Sequence, residues 1–390
     1  MMQLLHYFKF LIPPTLSIFF VGFSSAFAQT QPQNQPKTQP QFESQTQRSS
    51  RTELTTSYRT VGAQFDEGPD QSDFVQFALN LNLKHNLFSD LDIKGRGSLN
   101  LVSGRIQTRF ENPNNEIVFL QELILHYHPM ESFQIKAGAI SQDHFNAANF
   151  LFERAFPGVQ LLSQKTWDKI SVAFKGQYTI PNSTSLEFDR VGREETPTLS
   201  SAGLELNWKP IKNFKISSQW NYFSFQDLPS VVAFDSSRRG NQVFGETQSE
   251  SVFAFEFTGL AQSHEILWSY NSKLKQSFSG VIVENMEAPS DRRRAQMIKT
   301  EFGYDFGDWV ILPNASYFFS ESDSIPAIYA DAALGGTNRE GFSYGVKANF
   351  KKLKFSVSAQ YVDANLIEAH PVQRDLDVIQ IFLEVANVTF

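Results

Sequence analysis

From Arg51 onward an apolar side chain recurs at every second position, in stretches of roughly ten residues, which is the period of a membrane-crossing strand. Val75, Phe77, Leu79, Leu81 and Leu83 alternate with Gln76, Ala78, Asn80, Asn82 and Lys84. Phe342, Tyr344, Val346, Ala348 and Phe350 alternate with Ser343, Gly345, Lys347 and Asn349, and the same pattern runs through 91–101, 133–139, 204–208 and 353–361. Successive side chains of a strand point to opposite faces, so each stretch has one apolar and one polar face. A secreted sandwich or propeller would need its second face packed on another sheet. Here that face is repeatedly Lys, Asn, Ser, Gln and Gly, residues suited to water. The pattern indicates an all-β chain, a transmembrane antiparallel β-barrel with apolar residues on lipid and polar ones in the lumen. A mean hydropathy of −0.30 argues against a bundle of membrane helices. Cysteine is absent, which excludes a disulfide framework, a thiolate metal site and a cysteine nucleophile. The formal net charge of −7 does not suit nucleic acid as a partner.

Connections alternate between tight and long. Tight ones are expected at Ser89-Asp90, Pro129–Ser132, Pro210–Asn213, Asn271–Leu274, Gly307-Asp308 and Lys351-Lys352. Long polar ones are expected at 66–73, 103–116, 141–157, 181–198, 226–250, 287–294, 321–340 and 365–375. Short periplasmic turns at one rim and long extracellular loops at the other are the habit of outer-membrane barrels. With an even count required, the spans 51–65, 74–88, 91–102, 117–128, 133–140, 158–165, 169–180, 199–209, 214–225, 251–270, 275–286, 295–306, 309–320, 341–350, 353–364 and 376–390 make about 16 strands. Reading 183–192 as a strand, or splitting 251–272 near Ser263, would move the count toward 18.

Residues 1–28 read as a secretory signal peptide: Lys9, the apolar segment Phe10–Phe23, then Ala26-Phe27-Ala28 before the cleavage point. Residues 29–50 are rich in Gln, Pro, Thr and Ser and are expected to form a disordered periplasmic tether. The barrel is assigned to 51–390 of a bacterial outer-membrane protein. Phe390, with Phe382 and Val388 on its parity, is similar to the terminal aromatic signal read by the barrel-assembly machinery.

The stretch from Phe119 to Leu162 resembles the outer-membrane porin superfamily, nearest to the phosphate-selective O/P type. The matching residues are Leu120-Gln121-Glu122, His128-Pro129, Phe133-Gln134-Ile135-Lys136-Ala137-Gly138 and Phe152-Glu153-Arg154-Ala155-Phe156-Pro157-Gly158-Val159. Ala139 stands where that group commonly carries Arg or Lys nearby. The resemblance covers about a tenth of the chain in its specific motifs. It implies a 16-stranded channel, often a homotrimer, whose third extracellular loop folds inward, here the loop 141–157.

In a wide barrel the inner positions face water, and their charges set the local potential. Inner parity places Arg59, Lys84, Lys94, Arg96, Lys136, Lys169, Lys175, Lys215, Lys299, Lys347 and Lys354 in the lumen. Glu53, Asp92, Glu122, Glu205, Glu256, Glu301 and Asp305 share that face. The candidate pore-lining or solute-binding residues are Lys94, Arg96, Lys136, Arg154, Lys175, Glu122 and Asp92. The competing reading is that these acids and bases pair across neighbouring strands. His126 and His128, two apart, share a strand face and could present two imidazoles to a metal, but no third ligand follows by spacing, so no metal is expected. Arg292-Arg293-Arg294 could contact lipopolysaccharide phosphate or be a solvated loop. No Gly-x-Ser-x-Gly, His-Glu-x-x-His, phosphate-cradling loop or dinucleotide fingerprint appears, so neither an enzyme nor a cofactor is expected. The expectation is a porin for small hydrophilic solutes or ions with mild anion preference; the alternatives are an adhesin or structural barrel, or a barrel hydrolase.

Overall fold

A computed structural model describes residues 52–105, 118–142, 155–181 and 194–389. The signal and tether segments and Phe390 lie outside the described residues. Sixteen strands hydrogen-bond in one closed antiparallel barrel. They are β1 Thr52–Glu67, β2 Asp70–Phe88, β3 Leu91–Arg105, β4 Val118–Met130, β5 Phe133–Ser141, β6 Ala155–Thr166, β7 Ile170–Thr179 and β8 Thr198–Ile211. The second half comprises β9 Phe214–Gln226, β10 Phe257–Ser269, β11 Leu274–Asn285, β12 Arg294–Asp305, β13 Trp309–Ser320, β14 Arg339–Phe350, β15 Phe355–Leu366 and β16 Leu376–Thr389. Each strand pairs with its chain neighbours, and β1 closes on β16 with Phe65 opposite Val378 and Tyr58 opposite Val385. Closure leaves no strand edge, as hydrocarbon demands of any spanning sheet.

The strand spans follow the alternation closely, with three differences. The expected long loop at 66–73 is a tight turn at Gly68-Pro69, because Gln71, Ser72 and Asp73 continue the pairing of β1 with β2. Gly68 takes φ +67, which favours a residue without Cβ. The segment 251–270 does not split near Ser263: Val252–Phe253 pairs with Val243–Phe244 in a separate two-stranded piece, and β10 starts at Phe257. The possible strand at 183–192 lies outside the described residues. Lys354 is not on the inner face but in the β14–β15 turn with φ +47, and Lys169 and Glu256 also stand just outside their strands.

The outward parity carries the exposed apolar side chains, among them Leu79, Leu125, Phe174, Ile298, Val346 and Ile381. Near the short turns this face ends in an aromatic belt. Phe214 and Tyr270 flank Trp268 at 5.9 and 4.9 Å, and Phe306 lies 4.6 Å from Tyr304 and 4.5 Å from Trp309. Such girdles mark the interface of a membrane barrel.

At the opposite end the inner face turns apolar, with Phe65, Phe74, Phe223, Phe225, Phe257 and Phe318 all buried. Two connections fold onto these side chains. The β9–β10 connection holds the helix α1 (Ser230–Ser237), and the β13–β14 connection holds two single 3₁₀ turns at Ala327–Tyr329 and Ala332–Leu334. Val232 comes from the first connection, and Ile325, Tyr329 and Leu334 from the second; all join the same buried cluster. The Tyr329 ring meets Phe225 of β9 at 5.8 Å and Phe156 of β6 at 5.3 Å. Since β6 lies nearly opposite β13 around the ring of strands, this connection crosses the lumen. Each buried large apolar side chain contributes about 1.5–3 kcal/mol.

Polar groups fix the two connections to each other. Asn241 Nδ2 donates to the carbonyls of Ser322 (2.6 Å) and Ile325 (2.9 Å), and its Oδ1 accepts from Ala327 N at 2.6 Å. Arg339, fully buried, pairs through Nη2 with Glu67 Oε1 at 2.8 Å and donates Nε to the Gly335 carbonyl at 3.1 Å. A Cβ at Gly335 would meet Arg339 Nε at 2.5 Å, so this position needs glycine. Asp323 accepts from Gln242 N at 2.9 Å and from Ser322 Oγ at 2.9 Å. Burial pushes its carboxyl above the ordinary value of 3.8, against the smaller pull of Gln242, Ser322 and Arg292.

Two outcomes follow from this architecture. Ile298→Lys puts a charge on the lipid face near mid-strand and should destabilise the barrel by about 2–4 kcal/mol, whereas Ser277→Lys on the inner face should be nearly neutral. Urea titration followed by heat-modifiable migration in gels measures both. A raised Asp323 pKa means the docked loops favour the protonated form. Docking is then firmest below the ordinary carboxylate range and loosens as pH rises through the raised value. Hydrogen exchange at residues 321–326 should show this loosening, and Asp323→Asn should abolish it.

Candidate functional site

The inner parity of three neighbouring strands assembles one charged patch near the short-turn rim. β3 contributes Asp92, Lys94 and Arg96, β4 contributes Glu122, His126 and His128, and β5 contributes Gln134 and Lys136. Register makes them neighbours: Asp92 lies opposite His126, Arg96 opposite Glu122, and His126 opposite Lys136. A bulge opposite Arg96/Gly97, between Leu120 and Glu122, shifts the β4 alternation by one residue, so Leu120 faces outward while Glu122, Ile124 and His126 face inward. Asp92 is buried at the centre of the patch, with Lys84 Nζ of β2 at 4.0 Å and His128 Nε2 at 3.1 Å. Arg96 Nη2 donates to Ser141 Oγ at 3.1 Å. Among the described residues no ion pair reaches Lys94 or Lys136.

Other sequence-derived candidates fall elsewhere. Lys175 of β7 is held by Glu205 of β8 at 2.6 Å, with Asn207 Nδ2 donating to the same carboxylate at 2.7 Å. That charge is balanced locally, as cross-strand pairing would have it. Lys347 similarly lies 3.6 Å from Glu384, and Asp305 is bound by Lys351 at 2.6 Å. Arg154 and most of the loop 141–157 lie outside the described residues. Its flanks, Gln142 and Phe156, are buried, and Gln177 Nε2 donates to Gln142 Oε1 at 2.8 Å. The arginine triplet is not a free patch. Arg293 and Arg294 lie 2.8 and 3.9 Å from Glu284, and Arg292 lies 3.8 Å from Glu368.

Sequence reasoning missed two features. Tyr329 sits in the apolar run 325–334 of a connection that sequence reads as a long loop, and its aromatic contact with the far wall depends on how that connection folds. Parity alone puts Asp92 on the lumen face, but its position against both histidines comes from strand register. Combining the parity of 91–101 with an assumed β3–β4 hairpin register would have shown it.

No protein-family model matches this chain, and no curated protein matches it. Solved structures do. OprB of Pseudomonas putida aligns over 87% of this chain and 94% of its own, with a TM-score of 0.58 and 9% identity. OmpF of Salmonella typhi, in a complex with daunomycin, aligns over 86% and 97%, with a TM-score of 0.50 and 13% identity. A loop-L8 deletion mutant of OmpT, an outer membrane protein of Vibrio cholerae, aligns over 87% and 99%, with a TM-score of 0.50 and 11% identity. The likeness is one of fold: this chain is built as a closed sixteen-stranded barrel of the kind seen in outer-membrane porins.

Proposed function

We propose that this protein is a non-enzymatic porin of the bacterial outer membrane, passing small hydrophilic solutes by diffusion. The observation that carries this reading is the polar inner wall below the docked loops, where Lys94, Arg96, Lys136, Ser217, Gln219 and Ser277 face inward while apolar side chains such as Leu99, Trp220 and Phe278 face outward. A packed or catalytic interior would not need a water-compatible wall facing a lipid-compatible one. The narrowing lies where the β13–β14 connection reaches from β13 to Phe156 and Phe225. Mild anion preference rests on Lys94, Arg96 and Lys136, partly offset by Asp92 and Glu122. Unit charges a few ångströms apart interact by about 1 to 4 kcal/mol in this setting, enough to bias ion flow, and salt screens the effect. Kinship with the phosphate-selective type rests on the motif residues 119–162 alone. A subunit contact is supported by the outward His264, whose Nδ1 lies 3.0 Å from Ser218 Oγ, a polar pair that hydrocarbon disfavours.

The selectivity claim is checked by zero-current potentials across a salt gradient in planar bilayers. Lys94→Gln with Lys136→Gln should shift the potential toward cation preference at low salt, with little effect at high salt. A wild-type channel that already prefers cations would end the anion reading and leave the channel standing. Tyr329→Ala should raise single-channel conductance, because it removes the side chain that bridges the lumen. An unchanged conductance would place the narrowing elsewhere.

A further inference from the structure

We infer that Asp92, His126 and His128 form a binding site for a divalent transition-metal ion on the inner wall. One donor atom from each lies within 4.8 Å of the others. Asp92 Oδ2 is 3.1 Å from His128 Nε2 and 3.9 Å from His126 Nδ1. Ligands about 2.0–2.2 Å from a zinc ion in a tetrahedral site stand roughly 3.3–3.6 Å apart, so small rotations of these side chains suffice.

The second observation is the state of His126. Its side chain is only 8% exposed, its Nε2 lies 2.9 Å from Gln134 Oε1, and its Nδ1 is buried with no hydrogen-bond partner. Because Gln134 Oε1 can only accept, Nε2 carries the proton and Nδ1 presents a bare lone pair to the Asp92 carboxylate. Two acceptors facing each other in a buried site repel unless a cation lies between them. An outer partner that fixes a histidine's tautomer is also what metal-binding imidazoles ordinarily have. The rings of His126 and His128 stand 4.9 Å apart, on one strand face. His128 is the more exposed of the two, with its side chain 30% accessible, so the open coordination position faces the lumen, where water or a solute anion can complete the shell.

Two imidazoles and one carboxylate favour zinc, copper or nickel over calcium or magnesium. Lys84, 4.0 Å from Asp92, opposes a dication, which makes the site one of reversible capture. The inference stands independently of whether the barrel conducts.

The test uses the full-length barrel folded in detergent, with Zn²⁺ followed by calorimetry and Cu²⁺ by electron paramagnetic resonance. The expected result is one Zn²⁺ per chain lost on His126→Asn with His128→Asn, and a Cu²⁺ spectrum showing two imidazole nitrogens that the same variant lacks. Gln134→Leu, which keeps all three ligands, should weaken Zn²⁺ binding by about 10–100-fold. Lys84→Gln should tighten it. Gel migration before and after heating confirms that each variant is folded. Absence of a stoichiometric Zn²⁺ site in the wild type, or unchanged binding in the double histidine variant, would overturn the assignment.

Discussion

Every backbone N–H and C=O inside hydrocarbon must find a partner within the wall, because lipid offers none. That constraint closes β1 on β16 and dictates a strand period of two around the whole ring. Once the outer face is committed to lipid, the inner face is free to carry charge, and its registers decide which charges meet. The patch on β3, β4 and β5 is a direct product: Asp92, His126 and Lys136 stand side by side because their strands pair in that register.

The two ends of the lumen are built on different chemistry. Near the short turns the wall is polar and charged. Toward the long connections it is lined by phenylalanines, which bury α1 and the β13–β14 connection as a soluble core would. The buried Arg339–Glu67 pair lies at that end, between the end of β1 and the start of β14, beside Gly335 of the β13–β14 connection. Removing one partner of such a pair leaves an uncompensated charge, a loss of about 3–5 kcal/mol, so the pair fixes the position of the connection more than it adds net stability. Asn241, bonded to three backbone groups of the neighbouring connection, has the same positioning role without charge.

Most strands were legible because lipid imposes its period on them separately. In 309–320 apolar residues run together; its limits come instead from the tight turn at Gly307-Asp308 and the loop from Glu321, and they match the strand Trp309–Ser320. The turn at Gly68-Pro69 was not legible, since β1 and β2 continue past the apolar zone with polar residues that look like loop. The loop cluster was hidden for the converse reason. Val232 lies in the run 231–234, and Ile325 and Tyr329 lie in the run 325–334. These are short apolar stretches without the strand period inside long connections, and only the fold brings them onto the phenylalanines of the inner wall. Lumenal charge was readable by parity but its pairing was not: Lys175 and Glu205 lie 30 positions apart and meet through the β7–β8 register. The third group beside the two histidines escaped for the same reason, since strand register, unlike spacing within a strand, is a property of two segments.

The proposed channel is an open, water-filled path with a loop across it. Single-channel recording of the purified protein in planar bilayers, with neutral polymers of graded size added to the bath, tests it most directly. Stepwise conductance that scales with bulk salt, and entry of only the smallest polymers, are expected. A folded, heat-modifiable protein that inserts but gives no conductance steps would contradict it.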